Sequence, residues 1–149
     1  MPKSHIDASV HIERPLPEVL AFVDDCKNDP LWQTSVLESE KTSEGPVGVG
    51  TTYHTREKFL GRVIDQTWEV VERNEDGSFW RARSTSGPLK METTMKFEAA
   101  GDGTRITRTL DVDVGHFFKM ASPIVARVAQ REFETDFAIL KDILEAEED

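Results

Sequence analysis

Ser122-Pro-Ile-Val-Ala-Arg-Val-Ala-Gln-Arg-Glu-Phe-Glu-Thr-Asp-Phe-Ala-Ile-Leu-Lys-Asp-Ile-Leu-Glu145 decides the fold. Ala126, Ala129, Phe133, Phe137, Leu140 and Leu144 recur at three- and four-residue steps, which places them on one face of a long helix. Such a face must be buried. The only large partner that the rest of the chain offers is a sheet, because almost everything before it reads as strands.

Upstream, Ile6, Ala8, Val10 and Ile12 alternate with polar residues, the pattern of a strand with one buried face. Pro15 and Pro17 end it, and Pro17 with Glu18 suits the first turn of a helix carrying Val19, Leu20, Phe22 and Val23. Asp24 to Pro30 breaks that helix, and a short second turn is expected to carry Leu31 and Trp32 inward. From Ser35 on, turn signals such as Leu60-Gly-Arg and Gly101-Asp-Gly recur about every ten residues. They separate strands expected near 35–42, 51–59, 63–73, 78–84, 89–98 and 105–114. Short connections favour antiparallel hairpins. The expected fold is therefore α+β. It comprises a curved antiparallel sheet of about seven strands, two short helices after the first strand, and a long C-terminal helix packed across the sheet. Residues 1–149 are read as one domain.

Composition narrows the function. The chain has 28 acidic against 18 basic side chains, a net charge of −10, which opposes a nucleic-acid surface. No apolar run approaches the length that spans a bilayer, so membrane insertion is not expected. The N-terminus lacks a signal-type apolar stretch, and a cytoplasmic location is expected. One cysteine, Cys26, leaves no intrachain disulfide and no metal spacing. His5, His11, His54 and His116 are scattered, no catalytic motif is recognisable, and neither metal nor cofactor is expected.

The order of elements, with particular residues, resembles the START-like or Bet v1-like (SRPBCC) superfamily, and within it the polyketide cyclase/dehydrase type. The resemblance lies in Ile12-Glu-Arg-Pro-Leu-Pro-Glu-Val-Leu-Ala-Phe-Val-Asp24, Trp32, Gly48-Val-Gly-Thr51 and Glu69-Val-Val-Glu72. Gly101-Asp-Gly-Thr-Arg-Ile-Thr107 and Leu140-Lys-Asp-Ile-Leu-Glu145 complete it. It covers nearly the whole chain and implies a helix-grip fold with a deep pocket between sheet and C-terminal helix. Family members bind lipids and hormones or act as aromatase/cyclases, so the shared fold does not choose a chemistry.

Alternation names the lining. Met91, Thr93 and Met95 share the inward face of the sixth strand, Arg108 that of the last, and Gln66 and Trp68 that of the fourth. Tyr53 and Glu57 share one face of the third. With Trp32, Ala129 and Phe133, and with Phe117 and Met120 from the apolar approach to the helix, these are the candidate ligand-binding residues. Inward polar groups need partners, and Glu57 and Arg108 either pair with each other or face a ligand. On the fifth strand Phe79 and Trp80 both demand burial, so the side taken by Arg81 and Arg83 is open.

The leading expectation is binding of a small hydrophobic or amphipathic molecule. The alternative is a metal-independent cyclase/dehydratase-type lyase, with Glu57 as base and Arg108 or Tyr53 as donor. A third possibility is a protein-interaction module whose cavity is filled by Trp32, Trp68, Phe97 and Phe133.

Overall fold

A computed structural model describes residues 4–113 and 122–146. The chain runs as β1 (Ser4–Ile12), α1 (Leu16–Asp24), a 3-10 turn (Cys26–Asn28) and α2 (Asp29–Trp32). There follow β2 (Val36–Lys41), β3 (Thr52–Phe59), β4 (Arg62–Arg73), β5 (Phe79–Ser86), β6 (Lys90–Ala100) and β7 (Gly103–Asp113), then α3 (Ser122–Ala146). All neighbouring strands are antiparallel, in the order β1-β7-β6-β5-β4-β3-β2. Six strands form one meander, and β1 returns to pair with β7 from Ser4–Val112 to Ile12–Thr104.

Local chemistry explains the breaks. Pro15 precedes α1 in extended conformation and Pro17 lies in its first turn, where a missing N–H removes no helical bond. Leu60 and Gly61 both adopt positive φ (51° and 80°), which gives the two-residue β3–β4 turn a twist that matches the strands it joins. Register shifts at Thr67/Trp68 and Val70/Glu72 mark irregularities in β4, the device by which a sheet bends around a helix.

α3 buries Val125, Ala129, Phe133, Phe137, Leu140 and Leu144, with Val125 rather than Ala126 at the head of the stripe. Its later turns are anchored. Leu140 and Leu144 join Ile12, Val19, Val23 and Ile106 in the core, and the Phe137 ring stacks on Trp32 at 6.1 Å and 11°. Lys141 donates to the His11 carbonyl (2.8 Å), and Glu145 accepts from the Glu13 backbone N–H (2.9 Å). The earlier turns, with Val125, Ala129 and Phe133, meet Ile64, Leu89, Leu110 and Val112 in a separate cluster. Of the two large apolar residues of α2 only Trp32 turns inward. Leu31 is 59% exposed against 2% for Trp32, because a four-residue helix has room for one buried side.

Gln66 is fully buried on β4 and committed to backbone: its Nε2 donates to the Leu89 carbonyl (3.0 Å) and its Oε1 accepts from the Leu89 N–H (3.2 Å). Gly87 sits at φ +121°, and a side chain there would strike Gln66 Oε1 and the Asp65 carbonyl. The amide thus pins the β5–β6 connection to β4. Because the Ser84 hydroxyl also donates to the Leu89 carbonyl (3.2 Å), Gln66→Leu orphans chiefly the Leu89 N–H. We expect that substitution to lower stability by about 1–3 kcal/mol in urea unfolding, and an unchanged midpoint would contradict this role.

Candidate functional site

Two cavities lie between the concave sheet and the helices. The larger, about 130 Å³, is walled by the end of α1, α2 and the inner faces of β2 to β7; the smaller, about 70 Å³, lies under the first half of α3. Gln33, Glu57, Trp68 and Arg108 line both and form the waist between them. On the apolar side of the waist stand Ile64, Leu89, Met91, Val125 and Ala129, and on the other side stand Asp29, Ser39, Tyr53 and Thr55.

Arg108 is placed by register. It lies opposite Ala8 on β1 and Met95 on β6, on the inner face with Ile106 and Leu110. Its guanidinium carbon sits 4.1 Å from the centre of the Phe133 ring and 5.9 Å from that of Trp32, cation–π distances. Among the described residues the buried Nε has no hydrogen-bond partner, nor has Trp32 Nε1, which faces the same larger cavity. Burial pushes the guanidinium down from its ordinary value, opposed by Asp136, Asp29, Glu57 and Glu132. An arginine this basic stays charged.

Those four carboxyl groups surround it from three elements. Glu57 on β3 accepts the Thr55 hydroxyl (2.7 Å), which itself accepts Trp68 Nε1–H (3.0 Å). Burial raises Glu57, with the Thr55 bond and Arg108 acting against it. Asp29 on α2 accepts the Ser39 hydroxyl (3.0 Å), and burial pushes its carboxyl up to about 7. Asp136 on α3 is buried and accepts both the backbone N–H and the hydroxyl of Thr34 (2.9 and 2.8 Å); burial raises it too. Glu132, one turn earlier, has no hydrogen-bond partner among the described residues and is raised to about 7 by burial and then by Asp136 and Glu57. Tyr53, also in the wall, is pushed up to about 12, chiefly by burial.

Trp32, Tyr53, Trp68, Thr93, Met95 and Arg108 all line the larger cavity. Met91, Ala129 and Phe133 line the smaller. Gln66 lines neither, since the Leu89 backbone takes its amide, and Thr93 spends its hydroxyl on the Thr109 carbonyl (2.8 Å). Phe117 and Met120 lie outside the described residues. The Glu57–Arg108 ion pair does not form; Glu57 turns to Thr55 while Arg108 stacks on Phe133. On β5, Trp80 and Ala82 face the cavity, so Arg81 and Arg83 meet Glu72 and Glu69 on the opposite face.

Sequence reasoning missed Asp29, Glu132 and Asp136. The last two carry a readable signal, because positions 132 and 136 fall within the buried stripe of α3 beside Ala129, Phe133 and Leu140. Asp29 stands in a helix too short to have a periodicity. No group of His, Cys, Asp and Glu among the described residues is arranged to hold a metal ion, and no described helix is long and apolar enough to cross a membrane.

The chain belongs to the family described as polyketide cyclase / dehydrase and lipid transport, whose model matches residues 3–145. It is similar in structure to a START superfamily protein from Mycobacterium smegmatis, with TM-score 0.82 and 17% identity over 96% of this chain and 98% of that one. The Zhui aromatase/cyclase from Streptomyces sp. R1128 is similar at TM-score 0.76 and 14% identity, over 97% and 94% of the two chains. Ara h 8.0201 matches at 0.70 and 14% identity, over 97% and 99%. At these identities the likeness establishes the helix-grip fold alone. No curated protein matches the sequence.

The raised carboxyls link stability to pH. Unfolded Asp and Glu titrate near 3.9 and 4.3, so Asp29 and Glu132, at about 7, bind more protons folded than unfolded between those values. Their stabilising contribution is full below about pH 4 and is lost as pH rises through about 7. Asp29→Asn with Glu132→Gln should therefore show a smaller fall in urea midpoint between about pH 5 and 8 than the parent protein. Equal falls would contradict the assignment.

Proposed function

We propose that this member of the polyketide cyclase / dehydrase and lipid transport family encloses a small amphipathic molecule across the waist at Arg108. The ligand lies across both spaces, its apolar part against Ile64, Leu89, Met91 and Phe133 on one side of the waist and Val36, Val70 and Met95 on the other, and an oxygen of the ligand accepts from the guanidinium. The observation that carries this reading is the half-buried Arg108, its Nε buried, open to both cavities and held by ring faces instead of an ion pair among the described residues. Such a charge gains from an acceptor that the protein does not itself provide.

Size limits the ligand. A dry cavity of roughly 150 Å³ accepts one benzene-sized ring, so spaces of about 130 and 70 Å³ suit a one- or two-ring molecule and not a two-chain lipid. Space of this kind also argues against the filled interior of an interaction module. Calorimetric titration with methyl naphthyl ketone should show saturable one-to-one binding. Arg108→Met should weaken it by about ten- to a hundredfold, the range for a hydrogen bond to a charged donor. Saturable binding that Arg108→Met leaves unchanged would remove Arg108 from the site.

One observation favours a second reading, acid–base catalysis of the cyclase or dehydratase type. Glu57 shares the cavity wall with Arg108, and burial makes its carboxylate a stronger base than usual. Glu57 would take an α-proton from a bound ketone while Arg108 donates to the developing enolate oxygen, and protonation at carbon from Glu57 restores both. In D₂O the protein should then speed deuterium exchange into the methyl group of methyl naphthyl ketone, and Glu57→Gln should abolish the acceleration. Exchange at the uncatalysed rate with saturating protein would eliminate this reading.

A further inference from the structure

An arginine that faces an interior cavity without an ion pair invites a carboxylate or phosphate, and here the surroundings reverse that expectation. Asp29, Glu57, Glu132 and Asp136 outnumber it four to one, and each is coupled to it by charge. Their remaining capacity differs. Asp29 is occupied by Ser39, Glu57 by Thr55 and Asp136 by Thr34, whereas Glu132 faces the smaller cavity with no hydrogen bond among the described residues. The other titratable groups on these walls add no positive charge: Cys26 and Tyr53 are neutral, and Arg73 is bound through both guanidinium nitrogens to Asp24 (2.8 and 2.9 Å).

We infer that Asp29, Glu57, Glu132 and Asp136 form a charge filter around Arg108, so that the cavity accepts a neutral carbonyl or hydroxyl compound and rejects a carboxylate of the same shape. The inference rests on the binding reading above and adds the ligand's charge class. An anion brought to Arg108 also comes against the carboxylates that share its walls. Like charges juxtaposed in a desolvated site repel strongly enough to outweigh a charge-assisted hydrogen bond. A neutral ketone or phenol takes the same donor without that repulsion.

Acid should open the filter. Asp29 and Glu132 gain protons as pH falls through about 7, while an aromatic carboxylate remains ionised down to about pH 5. Calorimetry with methyl naphthyl ketone and with naphthoate, which share one ring system, separates the possibilities. At about pH 8 the ketone should bind at least about tenfold more tightly than naphthoate. Lowering the pH to about 5.5 should tighten naphthoate about tenfold or more and change the ketone little. Glu57→Gln with Glu132→Gln should narrow the ratio at pH 8, and the pH series on the parent protein stands even where that variant folds poorly. Naphthoate binding as tightly as the ketone at pH 8, or with no pH dependence, overturns the filter and leaves the binding reading intact. Binding of neither probe overturns both.

Discussion

The guanidinium of Arg108 lies against the Phe133 ring and near that of Trp32 on the inner face of β7, its Nε buried and without an ion-pair partner among the described residues. Taking a charge out of water is expensive, and cation–π contact returns only part of that cost, on the order of 2 kcal/mol when desolvated. The fold accommodates the remainder by arranging carboxyl groups at a distance on α2, β3 and α3. None of them closes on the arginine. The waist between the two cavities is therefore polar, highly charged and open on both sides, which an apolar core of the same size would not be.

The rest of the molecule holds this arrangement in place. The later half of α3 is fastened by Phe137, Leu140, Leu144, Lys141 and Glu145 to Trp32 and β1, and this fixes the helix on which Glu132, Phe133 and Asp136 stand. Thr34 binds Asp136 from the turn after α2, so α2 and the long helix share a polar contact at the cavity edge. Gln66 and Gly87 keep β4 against the β5–β6 connection and so maintain the wall that carries Leu89. Packing dominates at one end of α3 and chemistry at the other.

Much of this was legible in the residues. The stripe from Ala129 to Leu144 and the alternation of Met91, Thr93, Met95 and Phe97 specified the long helix and the sheet's inner face, because period and burial coincide there. The side of β5 was undecidable, since Phe79 and Trp80 make equal hydrophobic demands in opposite registers. Gln66 read as a ligand contact because alternation shows only that a polar group points inward, while its partner is a backbone segment 23 residues away. Pairing of Glu57 with Arg108 failed for the related reason that Thr55, two residues along the same strand, is the nearer partner. Among the four carboxyls only Asp29 left no trace in the sequence, whereas Glu132 and Asp136 interrupt an otherwise apolar stripe.

Binding across the waist requires that Arg108 face an exchangeable interior space. Nitrogen–proton NMR of the Arg108 side chain, followed during addition of methyl naphthyl ketone, tests that directly. A protected Nε–H resonance should shift saturably with ligand, together with the indole signals of Trp32 and Trp68, while Arg81 on the outer face stays unmoved. Saturable shifts confined to outer-face groups, with Arg108 unperturbed, would contradict it.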